Sequence, residues 1–233
     1  MPNSHRIEKE LDLCGQNDRL TIFTSHNFST GDEGIYARVL NFINQGGGSS
    51  DPSHLQPLSP RSLPPGPDLY NSVHCIWYCV ACEEDRQVHP LEKRFFNQVA
   101  AGLIAPHIPV VLLFTKYDLF VNQVELDWSR DAQERGLSKV AVTHILRDLT
   151  QKRFDKTIGR RWKEEALSGG SIPHVCVGSG QDVGDDDADV GDGDAGFERV
   201  AVTTLENLRD RNVKFAFATA QRNSAHIASM CKF

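Results

Sequence analysis

The spacing of apolar positions divides the chain into short β-rich runs and longer helical patterns. Residues 109–115 (PVVLLFT) and 73–81 (VHCIWYCVA) are nearly continuous apolar runs, the pattern of strands covered on both faces. Residues 6–13 fit an edge strand, 20–24 a second strand ending in the polar loop 25–32, and 173–177 another short strand. Helical spacing covers residues 33–44, with Ile35, Val39, Leu40 and Ile43 on one face, and 91–103, with Leu91, Phe95, Val99 and Leu103 in a stripe. A long helix is expected over 131–150 after a polar link, and two more over 197–208 and 213–230. This alternation predicts an α/β fold: a doubly wound, mostly parallel sheet with helices on both faces. Ligands on such sheets bind beyond the carboxyl ends of the strands, which directs attention to the residues just after Thr24, Ala81, Phe114 and Val177.

Two segments break the pattern. Residues 46–70 contain Gly46, Gly47, Gly48, Ser49, Ser50 and six prolines, a composition that fixes turns and offers little to a core; an inserted loop is expected. Residues 182–196 form an acidic stretch expected to be disordered, because few apolar groups offset the ordering entropy. The acidity is local: removing its seven aspartates from the formal charge of −6 leaves +1. A nearly neutral body without a Lys/Arg stripe argues against nucleic acid as a partner. No apolar run approaches the roughly 20 residues of a membrane helix, and the first ten residues are too polar for a signal peptide. A cytoplasmic protein of one domain over residues 1–233 is expected. Six cysteines are too sparse for a disulfide scaffold and read as reduced, buried thiols.

The strand at 109–115 runs into Thr115, Lys116, Tyr117 and Asp118. Guanine presents an N1–H beside an exocyclic amine, so one carboxylate can accept from both, whereas adenine offers no such pair. Asp118 has the chemistry of that reader, and Lys116 can lay its methylene stem over a base while its ammonium holds neighbouring loops. The alternative is an ordinary Lys-x-Asp turn after a strand. The next strand ends in Val177, Gly178, Ser179 and Gly180, a small-residue element or a generic turn.

Thr115 to Asp118 resembles the [N/T]-K-x-D guanine-specificity motif of P-loop GTPases, with threonine in place of the more usual asparagine. Ser179 and Gly180 resemble the Ser-Ala element whose backbone N–H meets guanine O6. A longer similarity is to a family of fungal GTPase-like proteins with TRAFAC-type G domains. It runs through Thr24, Ser25, Phe28, Gly31, Asp32 and Glu33, then His74 to Cys79, Arg86, Phe95 and Phe96, Thr115 to Asp118, and Ala220, Gln221 and Arg222. The resemblance spans residues 6–229, apart from the two low-complexity segments. It implies GTP or GDP as ligand, with Thr115, Lys116, Asp118, Ser179 and Gly180 around the base.

The chain departs from that family at the phosphates. The pattern G-x-x-x-x-G-K-[ST], whose backbone N–H groups cradle phosphates, occurs nowhere in it. The family's loop lies upstream of the segment similar to 6–13, so an incomplete P-loop GTPase fold lacking the first strand and phosphate loop is expected. Either an upstream exon is missing or the protein is a decayed relative. In the D-x-x-G motif, Thr24 stands for the aspartate and Asn27 for the glycine, so neither magnesium nor hydrolysis is expected. The missing strand would lie between 20–24 and 73–81, leaving unpaired backbone and marginal stability. The resulting readings are a guanine-nucleotide-binding domain with little or no hydrolysis, a pseudo-GTPase interaction module, or a non-functional fragment. Cys79 and Cys82 read as core residues, the aspartate run has no calcium-loop spacing, and Arg160, Arg161, Trp162 and Lys163 read as a solvated helix end.

Overall fold

The computed structural model describes residues 8–9, 23–24, 28, 31–44, 73–104, 106–135, 139–167, 172–178 and 195–220. The expectations for residues 46–70 and for 182–194 lie outside them. Strands β1 (Glu8–Lys9) and β2 (Phe23–Thr24) form an antiparallel pair. The main sheet is parallel, in the order β3 (Ile76–Ala81), β4 (Val110–Thr115), β5 (His174–Cys176). Ile76 lies opposite Val110 and Ala81 opposite Thr115, while Leu112 faces His174 on the other side. Among the described residues no ladder joins β2 to β3.

β4 sits in the middle because it has no polar face. Val110, Leu112 and Phe114 point to one side and Val111 and Leu113 to the other, each 6% exposed or less. The first side belongs to one buried cluster with Ile35, Tyr36 and Ile43 of α1 (Glu33–Asn44) and Leu91, Phe95 and Phe96 of α2 (Pro90–Ala100), and Phe114 meets the Phe154 and Trp162 rings directly. The second side meets Val200 of α6 (Ala195–Asn207), where the Trp77 indole N–H donates to Thr204 Oγ1 at 2.9 Å. The architecture is therefore mixed α/β, with a three-stranded parallel sheet between helices. The last helix is α7 (Arg211–Ala220), and among the described residues no helix is long and apolar enough to cross a membrane.

Several elements differ from expectation. The segment after Lys116 is not a polar link: α3 (Tyr117–Arg135) starts at once, burying Phe120 and Val124, and α4 (Lys139–Phe154) follows. Their i, i+4 spacing is helical, and the polar residues between them occupy the outer face. α2 stops at Ala100, because Gly102 takes a left-handed φ of +67° beyond the cap; Leu103, expected in its stripe, is 72% exposed. α6 begins at Ala195, so the acidic stretch ends two residues early.

α4 continues without a break through a π-helical turn (Asp155–Gly159) into α5 (Arg160–Glu165). Eight residues of α-helix turn through about 800°, leaving two side chains about 80° apart. The wider π turn removes most of that offset. Phe154 and Trp162 consequently both face the core, each 2% exposed. This corrects the solvated helix end expected at residues 160–163. Aromatic rings then form one chain across this face: Phe28 on Tyr36 and Phe95, Phe95 on Tyr78 and Phe96, Phe96 on Trp162, Trp162 on Phe114, and Phe114 on Phe154 and so to Tyr117.

One carboxylate is fully enclosed here. Glu92, 0% exposed, accepts from Tyr78 Oη at 2.8 Å, Arg86 Nη2 at 2.6 Å and the backbone N–H of His89 at 2.8 Å. It thereby closes the capping box of α2 and ties it to β3 and the loop after it. Removing one partner of such a pair strands a buried charge, which costs about 3 to 5 kcal/mol. Glu92→Ala is expected to lose that much in urea denaturation, whereas Glu92→Gln, whose side-chain oxygen can still accept from Tyr78 and the His89 N–H, should lose less.

Candidate functional site

The loops that leave the carboxyl ends of β3, β4 and β5 meet at one edge of the sheet. β4 leads into Lys116, whose φ of 58° makes it the positive-φ non-glycine residue among those described. This left-handed step turns the chain so that the Lys116 carbonyl accepts from the N–H groups of Leu119 at 3.2 Å and Phe120 at 3.3 Å, opening α3. Asp118 falls in the first turn of α3, where the helix N-terminus favours a carboxylate. It is half-buried.

β5 is clasped to the same turn. Val177 N–H donates to the Phe114 carbonyl at 2.7 Å, and Tyr117 N–H to the Val177 carbonyl at 3.1 Å. That register lays Gly178 directly on Asp118: a Cβ at 178 would lie 2.7 Å from the Asp118 nitrogen and 2.8 Å from its Cβ. Thr115, expected near a base, donates its hydroxyl to the Val80 carbonyl at 3.3 Å and so straps β4 to β3. Lys116 reaches Glu83, in the loop after β3, at 3.2 Å. Both side chains are more than half exposed, so the pair contributes about 1 kcal/mol at most. Ser179 and Gly180 lie outside the described residues, as does Asn27; Thr24 ends β2.

The loop after β3 is held by Arg153, which the sequence did not single out, and by Arg161, which the sequence placed on a solvated helix end. Arg153 grips Glu84 through Nε at 2.5 Å and Nη2 at 2.9 Å, and bonds Asp127 at 2.6 Å; these hydrogen bonds push its pKa up. Arg161 donates at 2.7 Å to the carbonyls of both Glu84 and Arg86, and the Arg86 guanidinium lies 5.3 Å over the Trp162 ring. Arg153 and Arg161, eight residues apart on either side of the π turn, reach the same loop.

Cys82 is buried, but Cys79, expected in the core, is exposed. Cys79 lies on β3 and Cys82 just beyond its end, one exposed and the other in the core. Cys75, Cys79, Cys82 and Cys176 are all free thiols, and among the described residues no cluster of three or more His, Cys, Asp or Glu could hold a metal. Comparison with protein-family models, with curated proteins and with solved structures finds nothing that matches this chain.

Two outcomes follow from these environments. Glycine carries no steric penalty at positive φ, whereas a β-branched residue there is costly. Lys116→Gly is therefore expected to melt no lower than the wild type, and Lys116→Val to lose more than about 1 kcal/mol. Burial raises the Cys75 and Cys82 thiols from 9.0 to about 12. Their contribution to stability is thus complete below pH 9 and lost as pH rises towards 12. Equilibrium unfolding across that range should show the decline, and it should shrink in Cys82→Ala.

Proposed function

We propose that this chain is a guanine-nucleotide-binding module, with a doubly wound fold of P-loop GTPase type, that does not hydrolyse GTP. The observation that carries the reading is the close seating of Gly178 on Asp118 at the carboxyl edge of the parallel sheet. A carboxylate at a helix N-terminus, flanked by an exposed lysine stem and the end of the next strand, suits the paired N–H donors of guanine. The ligand is GDP or GTP, bound chiefly through the base. With Thr24 and Asn27 at the positions that would serve magnesium and the terminal phosphate, magnesium has no part in the proposal. Without phosphate contacts the dissociation constant should be on the order of 1 mM, equivalent to about 4 kcal/mol. Reduced thiols suit a cytoplasmic setting.

A second reading, a pseudo-GTPase acting on a protein partner, is favoured by the segment after β2. Phe28 is 4% exposed, its ring 5.1 Å from Tyr36 and 5.6 Å from Phe95. Asp32 caps α1 through the N–H groups of Gly34 and Ile35, and Arg94 lies 4.9 Å over the Tyr36 ring. Such packing suits a constitutive surface better than a segment that responds to a terminal phosphate. A partner bound equally by wild type and Asp118→Ala would favour this second reading.

Saturation-transfer NMR with GDP, guanosine and ADP tests the first. GDP and guanosine should bind saturably, ADP should not, and Asp118→Ala should abolish the signal. Equal responses to GDP and ADP, or none to either, would overturn it.

A further inference from the structure

We infer that Gly178 is a positioning residue for the Asp118 carboxylate, and through it a determinant of base selectivity. This rests on the guanine reading above. The constraint is space rather than backbone conformation: any Cβ at 178 would lie 2.7 Å from the Asp118 nitrogen, 2.8 Å from its Cβ and 3.0 Å from Oδ1. The first two atoms belong to the rigid start of α3 and cannot swing aside as a side-chain tip would.

β5 cannot retreat either. The Val177 N–H and carbonyl are bonded to Phe114 and Tyr117, which fixes the register of residue 178 along β4. Behind the strand, Arg199 of α6 donates to the Cys176 carbonyl at 2.8 Å. Gly196, at the start of α6, closes the space further: a Cβ there would lie 3.6 Å from Val177 Cγ1 and 3.8 Å from the Gly178 carbonyl oxygen. With the strand held on both sides, a methyl group at 178 displaces the first turn of α3 and turns the carboxylate. A bidentate pair tolerates little such rotation, so one of its two hydrogen bonds is lost.

Inosine lacks the exocyclic amine of guanosine and so reports that second bond. Losing one hydrogen bond to a charged group weakens binding about tenfold. The wild type should prefer guanosine to inosine by about that factor. Gly178→Ala should bring the ratio close to one, and Gly196→Ala, whose methyl meets only ordinary contacts, should keep it. A purely structural role would lower the melting temperature of Gly178→Ala and leave the ratio unchanged, which would overturn the inference. If that variant does not fold, the wild-type amide spectrum decides: Gly178 and Asp118 should shift together on adding guanosine, and a shift of Asp118 with Gly178 static would overturn it. A wild type that does not distinguish the two nucleosides would instead overturn the guanine reading itself.

Discussion

The main sheet and the helices that cover it are arranged around a strand with no polar face. β4 is buried on both sides, so each of its peptide groups must find a partner within the sheet, and only strands alongside can supply them. Parallel neighbours then require crossovers, and the crossovers carry the helices that cover the two faces. The same requirement sends the exits of three strands to one edge. Pairing continues past the strands themselves, with Cys82 N–H on the Thr115 carbonyl and Val177 N–H on that of Phe114. The loops that carry Glu83, Lys116 and Gly178 are therefore held together by backbone before any side chain is considered.

The polar groups at that edge do a different job from the apolar core. Glu92 is enclosed and satisfied by three donors, an arrangement whose net contribution to stability is small beside its cost when broken. What it specifies is geometry: the start of α2, the loop at Arg86 and β3 can meet in only one way. Arg153 and Arg161 extend that control to Glu84 and the carbonyls beside it. The exposed Lys116–Glu83 pair is the last and weakest link, and it belongs to the solvent-exposed part of the edge.

Much of this was legible in the sequence, for identifiable reasons. The three strands and α1 follow from apolar runs and spacing that tertiary structure had no cause to override. The run from Thr115 to Asp118 announces itself as polar chemistry after a buried strand. α3 was misplaced because its buried positions are sparse and its outer face is as polar as a loop. Leu103 was misplaced because a glycine cap ended the helix before its stripe did. Arg161 looked solvated because its partners are backbone carbonyls far along the chain, invisible to any periodicity. Gly178 was named only as part of a small-residue turn, for a related reason: a glycine's importance lies in what approaches it, and composition does not record approach.

The π turn separates two kinds of tolerance that usually go together. Asp155 and Lys156 are exposed, so exchange of their side chains touches little. The length of the turn is another matter, since each residue of helix carries about 100° of rotation. Deleting one residue there would rotate α5 against α4, carrying either Phe154 or Trp162 out of the core and one arginine off the loop after β3. Positions 155 and 156 should therefore drift freely in identity across related sequences while Ile158, 2% exposed, stays apolar and the length of the turn stays fixed, the reverse of what its solvent-facing half alone would lead one to expect.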